Sequence, residues 1–310
     1  MQDAVSQLSN QLENVVFGQS TVIRQFLIAL LAGGHVLLEG VPGVGKTRLA
    51  KGLATLVAGR YSRIQFTPDL MPSDVLGNAV YYGTTADFEV KQGPIFANIL
   101  LADEVNRTPP KTQSALLEAM EERQVSIYGK TLLLPRPFFV VATQNPIEYE
   151  GTYPLPEAQL DRFLMQIRIE YPDVDGEMQV LRHHRDEAGD PITRLAAVAS
   201  PDDVLQAMNQ VSHVTVSDEV LRYIVDLVRA TREDERVSLG ASPRAATAVL
   251  DAAKAVAFLQ GRAYVIPDDV LEILAPVLRH RLILNPSIEL EGTLVDVVLQ
   301  AVVEKVGVPR

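Results

Sequence analysis

The sequence predicts an α/β fold: a doubly wound, parallel five-stranded sheet with β-hairpin inserts, followed by an all-α domain. Short apolar runs typical of buried strands alternate with helical patterns between His35 and Ile169. A glycine-rich loop joins the first of these strands to the next helix. From Pro201 onward the pattern is almost wholly that of amphipathic helices. We therefore expect an α/β domain at residues 1–190 and an α-helical domain at residues 191–310.

The composition is that of an ordinary globular chain. Of its 310 residues, 47% are hydrophobic and 22% are charged, and no apolar run reaches the roughly 18 residues that a membrane span needs. The N-terminus lacks the basic start and apolar core of a signal peptide, so we expect a cytoplasmic protein without a membrane segment. The absence of cysteine excludes disulfides, thiolate metal sites and cysteine nucleophiles. The formal net charge of −11 disfavours nucleic acid as a partner, because phosphate contacts need clustered Lys and Arg.

The glycine-rich loop has the pattern of a phosphate-binding loop. Gly40–Thr47 reads G-x-x-x-x-G-K-[ST], with a strand-like run before it and a helical pattern after it. Glycines let backbone N–H groups turn towards phosphate oxygens, and the helix directs the positive end of its dipole at the same anion. We expect Lys46 to reach the β- and γ-phosphates and the Thr47 hydroxyl to ligate Mg²⁺. The alternative is a glycine-rich turn that binds nothing. The residues expected to contact nucleotide in this segment are Gly40, Val41, Pro42, Gly43, Val44, Gly45, Lys46, Thr47 and Arg48.

Polar side chains follow two further apolar strands. Asp103 and Glu104 end the run that begins at Asn98, and Asn145 follows the run 138–143. Because the carboxyl ends of parallel strands face the ligand crevice, we expect these side chains close to the glycine-rich loop. Asp103 is placed to hold Mg²⁺ through its waters, Glu104 to polarise an attacking water, and Asn145 to touch the γ-phosphate and that water. Helix-capping carboxylates and a turn-forming Asn before proline are the structural alternatives.

Two segments predict β-hairpins that interrupt the alternation of strands and helices. Strand-like runs at residues 79–82 and 87–90 are joined by residues 83–86, and a second hairpin covers residues 124–133 with Gly129 near its tip. The first hairpin fits either a surface elaboration or a functional insertion.

Two arginines are candidates to act on a neighbouring chain. Arg162 precedes the last predicted strand, so we expect it on the surface at the sheet edge, where it reaches a neighbour's nucleotide more easily than its own. Solvation is the structural alternative for a lone arginine in this position. Arg107 fits either the same role or a local ion pair beside a helix.

With these residues in place, the chain resembles the AAA+ ATPases and, within them, the MoxR family. Gly40–Thr47 resembles Walker A, Asp103-Glu104 Walker B, Asn145 sensor 1, Arg162 the arginine finger, Arg244 sensor 2, and Phe17-Gly18-Gln19 the segment that cradles adenine. The stretches 103–107, 142–148 and 151–157 are the ones most similar to MoxR proteins. The two hairpins resemble the helix-2 and pre-sensor-1 inserts, which project towards a central pore in related ATPases.

The resemblance implies an enzyme that hydrolyses ATP with Mg²⁺ in a homo-oligomeric, hexameric ring, with Arg162 supplied to the neighbouring site. It implies that Gln19 and Arg244 also contact the nucleotide, and that Arg244 starts a lid helix over the cleft and couples the γ-phosphate to the lid angle. The implied role is chaperone-like remodelling, maturation or activation of a client protein, with a separate partner that carries a von Willebrand factor A (VWA) domain. A magnesium-chelatase-type motor subunit, a nucleic-acid translocase and a nucleotide-gated scaffold are the alternatives.

Overall fold

The N-terminal part of the chain is built on a five-stranded parallel sheet. The structure is a computed structural model and describes residues 2–41, 43–82, 87–145, 151–186 and 189–309. Its strands are β1 (Val36–Gly40), β2 (Tyr61–Gln65), β3 (Gly77–Tyr82), β4 (Asp87–Gln92), β5 (Ile99–Asp103), β6 (Gln124–Ile127), β7 (Lys130–Leu133), β8 (Phe139–Gln144), β9 (Met165–Ile169), β10 (Val237–Leu239) and β11 (Ile283–Leu284). The large sheet has the order β2-β5-β8-β1-β9, and all neighbouring pairs are parallel. The predicted doubly wound sheet is confirmed.

Helices cover both faces of this sheet and form most of the C-terminal part. They are α1 (Gln2–Glu13), α2 (Ser20–Leu31), α3 (Lys46–Leu56), α4 (Pro72–Leu76), α5 (Pro110–Glu122), α6 (Glu157–Leu160), α7 (Val174–Asp186), α8 (Pro201–Ser212), α9 (Asp218–Glu233), α10 (Pro243–Leu259), α11 (Pro267–Leu278), α12 (Pro286–Leu290) and α13 (Val295–Lys305). Short 3-10 helices lie at Val105–Arg107, Pro191–Arg194 and Arg279–Arg281. Three of the C-terminal helices begin with a serine cap, whose side chain accepts a hydrogen bond from a first-turn N–H: Ser200 before α8, Ser217 before α9 and Ser242 before α10.

Both predicted hairpins are present. Strands β3 and β4 pair antiparallel, and so do β6 and β7. Tyr128 and Gly129, at the tip of the second hairpin, have φ angles of 50° and 78°, the left-handed conformation that a tight hairpin turn requires. Residues 83–86, at the tip of the first hairpin, lie outside the described residues.

The C-terminal part is helical except for one small sheet that the sequence did not predict. Strands β10 and β11 pair antiparallel but have only three and two residues. Strands this short are too brief for an alternating pattern to be recognised, and the lid is otherwise helical, as predicted.

Two apolar clusters lie on opposite faces of the large sheet. One is formed with α1, α2 and α3 and continues without a break into the C-terminal helices α8 to α11. The other is formed with α5 and residues of the two hairpin regions. The segment between the two parts also packs on the first: the N–H groups of Val198 and Ala199 donate to the carbonyl of Leu56 at 2.8 and 3.1 Å. The domain boundary at residue 190 stays a prediction.

Among the helices that the structure describes, none is both long and apolar enough to cross a lipid bilayer.

Candidate nucleotide site

The glycine-rich loop connects the end of β1 to the start of α3. Gly45 caps α3 with φ +92°, a left-handed conformation that glycine adopts without steric cost. At Gly40 a Cβ atom would lie 2.5 Å from the carbonyl oxygen of Ile169 on the neighbouring strand, so only glycine fits there. The Nζ of Lys46 donates to the carbonyl of Gly40 at 2.8 Å, a contact that holds the ammonium group inside the loop. Pro42 lies outside the described residues.

A cavity of about 530 Å³ opens beside this loop. It is lined by Gly43, Gly45, Lys46, Thr47, Arg48, Asp103, Glu104, Asn145 and Val180. The structure therefore brings together the loop, the two carboxylates that end β5 and the amide that follows β8. Burial lowers the pKa of Lys46, while the charges of Asp103 and Glu104 raise it. The lysine is thus a partly desolvated cation opposite two carboxylates.

The Asp103 carboxylate is fixed by two side chains from neighbouring strands. The Thr143 hydroxyl, on β8, donates to Asp103 Oδ1 at 2.6 Å. The Arg63 guanidinium, on β2, donates to Asp103 Oδ2 at 2.7 Å. Thr143 is fully buried, whereas the Arg63 side chain is 48% exposed. The buried hydroxyl is therefore the more rigid of the two supports.

Glu104 is held in an unusual conformation directly after β5. Its φ angle is +57°, in the left-handed region that costs a non-glycine residue of order 1–3 kcal/mol. Its N–H donates to the Thr143 hydroxyl at 2.8 Å, so one threonine contacts both acidic residues. The side chain receives Gln65 Nε2 at 2.7 Å and Arg107 Nε at 3.0 Å, both on Oε2. Arg107 forms the local ion pair that was one of the two readings of its sequence position.

Asn145 and Gln19 occupy different surroundings. Asn145 is only 6% exposed and lines the cavity at the carboxyl end of β8. Gln19 does not line it; its Nε2 donates to the carbonyl of Glu170 at 2.8 Å. The adjacent Phe17 ring lies 5.5 Å from the ring of His183 on α7, the helix that carries Val180 to the cavity. The segment around Gln19 therefore borders the cavity through α7.

Arg162 and Arg244 lie together, away from the cavity lining. Arg162 Nη1 lies 2.8 Å from Glu121 Oε2, and Arg244 Nη1 lies 3.4 Å from Glu121 Oε1. Arg162 Nη1 also donates to the carbonyl of Leu117 at 2.8 Å. Arg244, at the start of α10, therefore does not line the cavity of its own chain, and its role at a nucleotide stays a prediction. The C-terminal helices dock against α2 and the edge strand β9, which brings the start of α10 to α5 instead.

Comparison with known proteins gives the family. A sequence model of the ATPase family associated with various cellular activities (AAA) matches residues 35–165, and one of the AAA lid domain matches residues 229–302. Chaperone MoxR1 of Mycobacterium tuberculosis is 43% identical over 309 residues, which cover 97% of this chain and 81% of MoxR1. The chain belongs to the MoxR family of AAA+ ATPases.

Two further similarities extend the match over the whole chain. YeaC of Bacillus subtilis, a protein described as uncharacterised, is 49% identical over 299 residues, which cover 96% of this chain and 92% of YeaC. A crystal structure of a candidate ATPase from Cytophaga hutchinsonii matches with a TM-score of 0.92 and 43% identity, covering 100% of this chain and 96% of that one. The MoxR-family fold therefore includes both the α/β sheet and the helical lid, and the family is one of chaperone-like AAA+ ATPases.

The donor set in this MoxR-family cavity suits Mg²⁺ bound together with nucleotide. Within the described residues, no group of three or more His, Asp or Glu side chains is arranged to hold a metal ion alone. Thr47 and Asp103 both line the cavity and offer a hydroxyl and a carboxylate oxygen, the hard donors that Mg²⁺ prefers. Mg²⁺ usually keeps several waters and binds through one or two protein ligands plus phosphate oxygens, which fits this pair.

Sequence reasoning missed four side chains around the MoxR-family site. They are Arg63 and Gln65 on β2, Thr143 on β8 and Glu121 on α5. A weak signal existed for two of them: Thr143 is a polar residue inside an apolar strand, and Gln65 ends its strand next to Asp103 in the parallel register. Nothing in the sequence around Glu121 pointed to Arg162 and Arg244, because their contact joins three segments that are far apart along the chain.

Proposed function

We propose that this MoxR-family protein hydrolyses ATP at a site shared between neighbouring subunits of a hexameric ring, and uses the cycle to remodel a client protein. The observation that carries the proposal is the cavity in which Lys46, Asp103, Glu104 and Asn145 meet at the glycine-rich loop. Those are the residue types that phosphoryl transfer requires: a cation, a metal-holding carboxylate, a water-orienting carboxylate and a neutral polar group.

Binding of the triphosphate is assigned to the loop and to α3. Backbone N–H groups of residues 43–47 lie at the N-terminus of α3, where the helix dipole and the unpaired amides favour an anion. Lys46 exchanges its contact with the Gly40 carbonyl for phosphate oxygens, and its partial burial strengthens that interaction. Gln19, which contacts Glu170 just after β9, and Phe17, which contacts His183 on α7, are assigned to the adenine end.

Mg²⁺, held by Thr47 and by Asp103 through its waters, would neutralise charge on the β- and γ-phosphates. The chain orients Asp103 for this role through the buried Thr143 hydroxyl, which donates to Oδ1 at 2.6 Å. Arg63 supports the other oxygen from the exposed side.

Glu104 is assigned to the attacking water. Its described contacts with Gln65 and Arg107 both use Oε2, so Oε1 is the oxygen that we assign to orienting the water and accepting its proton. Water then attacks the γ-phosphorus in line with the leaving oxygen, and Asn145 hydrogen-bonds the γ-phosphate and the water. The strained backbone of Glu104 supports this assignment, because strain of this kind clusters at active sites.

The second half of the site is assigned to the neighbouring subunit. Arg162 and Arg244 both form ion pairs with Glu121, and neither lines the nucleotide cavity of its own chain. Both side chains are therefore better placed for the γ-phosphate of a neighbouring subunit. An arginine supplied in trans is worth about 10³ to 10⁵ in rate for related phosphoryl transfers. The hairpins β3–β4 and β6–β7 are assigned to the pore side of the ring, and a VWA-domain protein to the partner that presents the client.

Glu104→Gln tests the assignment of the water-orienting residue. The amide keeps the size of the side chain but cannot accept the proton, so we expect ATP binding to persist while turnover falls by about 10²-fold or more. Fluorescent-nucleotide titration and phosphate release measure the two properties. Glu118→Gln, an exposed residue of α5, is the matched control and should turn over ATP normally. Near-normal hydrolysis by Glu104→Gln would show that another group orients the water.

The remodelling role is tested by capturing what the ATP-bound ring holds. Glu104→Gln loaded with ATP should retain a client and a VWA-domain protein from a lysate of the source organism, whereas Lys46→Ala, which should bind ATP poorly, should release them. Stimulation of hydrolysis by DNA, with no ATP-dependent protein capture, would instead favour the translocase reading.

A further inference from the structure

A buried arginine of the lid donates hydrogen bonds to the turn that carries Arg162. This turn, the finger turn, comprises residues 161–164 and leads into β9. Arg281, at the end of the 3-10 helix Arg279–Arg281, has only 4% of its side chain exposed. Its Nε donates to Asp161 Oδ1 at 2.6 Å, and its two terminal nitrogens donate to main-chain carbonyls of the same turn. Those carbonyls belong to Asp161 at 3.2 Å, Phe163 at 2.7 Å and Leu164 at 3.0 Å.

The two residues before Arg281 dock on the same part of the sheet. His280 is buried, and burial holds its pKa well below the ordinary value, so its ring is neutral. A carbonyl can only accept, so His280 Nε2 carries the hydrogen that it donates to the Phe163 carbonyl at 2.9 Å. Arg279 donates to the carbonyl of Gln166 on β9 at 3.3 Å. Three consecutive lid residues therefore fix the backbone around Arg162.

The finger turn also contacts the helix that carries Arg244. Ser242, the N-cap of α10, donates its hydroxyl to Asp161 Oδ2 at 3.5 Å, a long contact. The Arg162 and Arg244 side chains meet again on Glu121. Polar contacts thus connect the finger turn to the lid and to the start of α10.

Stability alone is a weak explanation for this arrangement. A buried ion pair often contributes little net stability, because the cost of desolvating both charges offsets their attraction. The terminal nitrogens of Arg281 donate to three carbonyls of the finger turn and also to the Val277 carbonyl of α11, which fixes the turn against the lid in position as well as in conformation.

We propose that Arg281 is a positioning residue for Arg162: it ties the finger turn to the lid, so that a change of lid angle in one subunit moves the arginine offered to the next. The inference rests on the proposed shared site and names a regulator of it. Arg281 itself touches no nucleotide in this account and acts only through the finger turn.

Two substitutions loosen this connection to different degrees. Arg281→Lys removes the fork that reaches three carbonyls, and Asp161→Asn keeps the shape of the turn but removes the charge that pairs with Arg281. A misplacement of about 1 Å costs on the order of 10²-fold in rate at sites of this kind, so we expect kcat to fall by up to that factor. The KM for ATP and nucleotide affinity should stay unchanged, because the cavity of the variant subunit is intact.

Mixing with a second variant separates positioning from general damage. Lys46→Ala subunits have a defective loop but an intact finger turn, so they should supply a working Arg162 to Asp161→Asn or Arg281→Lys neighbours and restore part of the lost activity. Arg262→Met is the matched control, since Arg262 pairs with the buried Asp269 inside the lid without touching the finger turn. It should lower the unfolding temperature but keep kcat per folded subunit.

The outcomes are distinct. A kcat deficit that Lys46→Ala subunits rescue supports the proposal; unchanged kcat, or a deficit that no mixing ratio rescues while Arg162→Ala is rescued in parallel, overturns it. If Arg162→Ala also fails to recover, the proposed shared site falls, and this inference with it. Should Arg281→Lys fail to fold, as thermal unfolding would reveal, Asp161→Asn decides alone.

Discussion

One buried hydroxyl organises the two acidic residues of the candidate site. Thr143 accepts a hydrogen bond from the Glu104 N–H and donates one to Asp103 Oδ1. Because it is fully buried on a central strand, its position varies little, and it fixes the end of β5 at the point where metal and water are expected. The ion pair from Arg63 is half exposed and contributes less, as surface ion pairs generally do.

Thr143→Val tests this arrangement at the scale of one atom group. Valine has nearly the same shape but can neither accept from Glu104 nor donate to Asp103, and an unpaired buried group costs about 1–3 kcal/mol. We expect the Mg²⁺ concentration for half-maximal ATPase activity to rise by about tenfold, with a lower kcat. Thr143→Ser keeps the hydroxyl and should behave nearly as the parent protein does. Equal Mg²⁺ dependence in the valine and serine variants would refute the role of the hydroxyl.

At the scale of residues, the sequence predicted the site residues that belong to a local pattern and missed those that support them from neighbouring strands. Asp103, Glu104 and Asn145 were identified because a strand end in a parallel sheet faces the crevice, and Lys46 because it belongs to the glycine-rich loop pattern; both rules are local and can be read from spacing along the chain. Thr143 and Gln65 act through lateral neighbours, and the register between strands is a long-range property that one sequence does not contain.

At the scale of elements, a buried histidine joins three parts of the α/β domain. His35, just before β1, accepts from the Val140 N–H on Nδ1 at 3.0 Å, which leaves Nε2 to donate to the Met120 carbonyl at 3.2 Å. The ring therefore ties the start of β1 to β8 and to the last turn of α5. Burial lowers its pKa to about 4, because a proton on the ring would bring an unsolvated charge into the core.

The pKa of His35 predicts a pH dependence of stability. Between about pH 6.5 and pH 4 the unfolded chain binds a proton that the folded protein does not, so the free energy of unfolding decreases as the pH falls through this window. At the lower end of this pH window, the pKa shift of His35 corresponds to a loss of about 3 kcal/mol in the free energy of unfolding. His35→Asn, which keeps an acceptor near Val140 but does not titrate, should lose less stability over the same range in urea unfolding. The pKa of His280 is also lowered by burial, but His280 is present in both the parent protein and the His35→Asn variant and so does not affect the comparison. Parallel pH profiles of the two proteins would contradict this assignment.

Periodicity predicted the elements well where they are long. The five sheet strands, both hairpins and the major lid helices follow from apolar alternation and from caps such as Ser200. Strands β10 and β11 were missed because two or three residues are too few for an alternating pattern to be recognised, and their pairing joins segments that are far apart along the chain. The approach of the start of α10 to α5, through Arg244 and Glu121, was equally hidden, since no local pattern specifies where a helix packs.

At the scale of the whole molecule, the distribution of charged side chains argues for a site completed by a second subunit. The cavity carries Lys46, Thr47, Arg48, Asp103, Glu104 and Asn145, while the two arginines assigned to the transition-state charge, Arg162 and Arg244, share Glu121 elsewhere on the chain. A heterologous contact, in which one face of a subunit meets a different face of the next, forms a ring when the rotation between subunits closes. Such a contact would bring the two halves together.

The most direct test is the ATPase activity of mixed variants. Lys46→Ala subunits lack a working loop and Arg162→Ala subunits lack the finger, so each alone should be close to inactive. After random mixing in equal amounts, about a quarter of the interfaces of a ring combine an intact loop with an intact finger, and activity should recover accordingly. Recovery that follows the mixing ratio is the result the shared site predicts. No recovery at any ratio, with both variants assembled and folded, would contradict it.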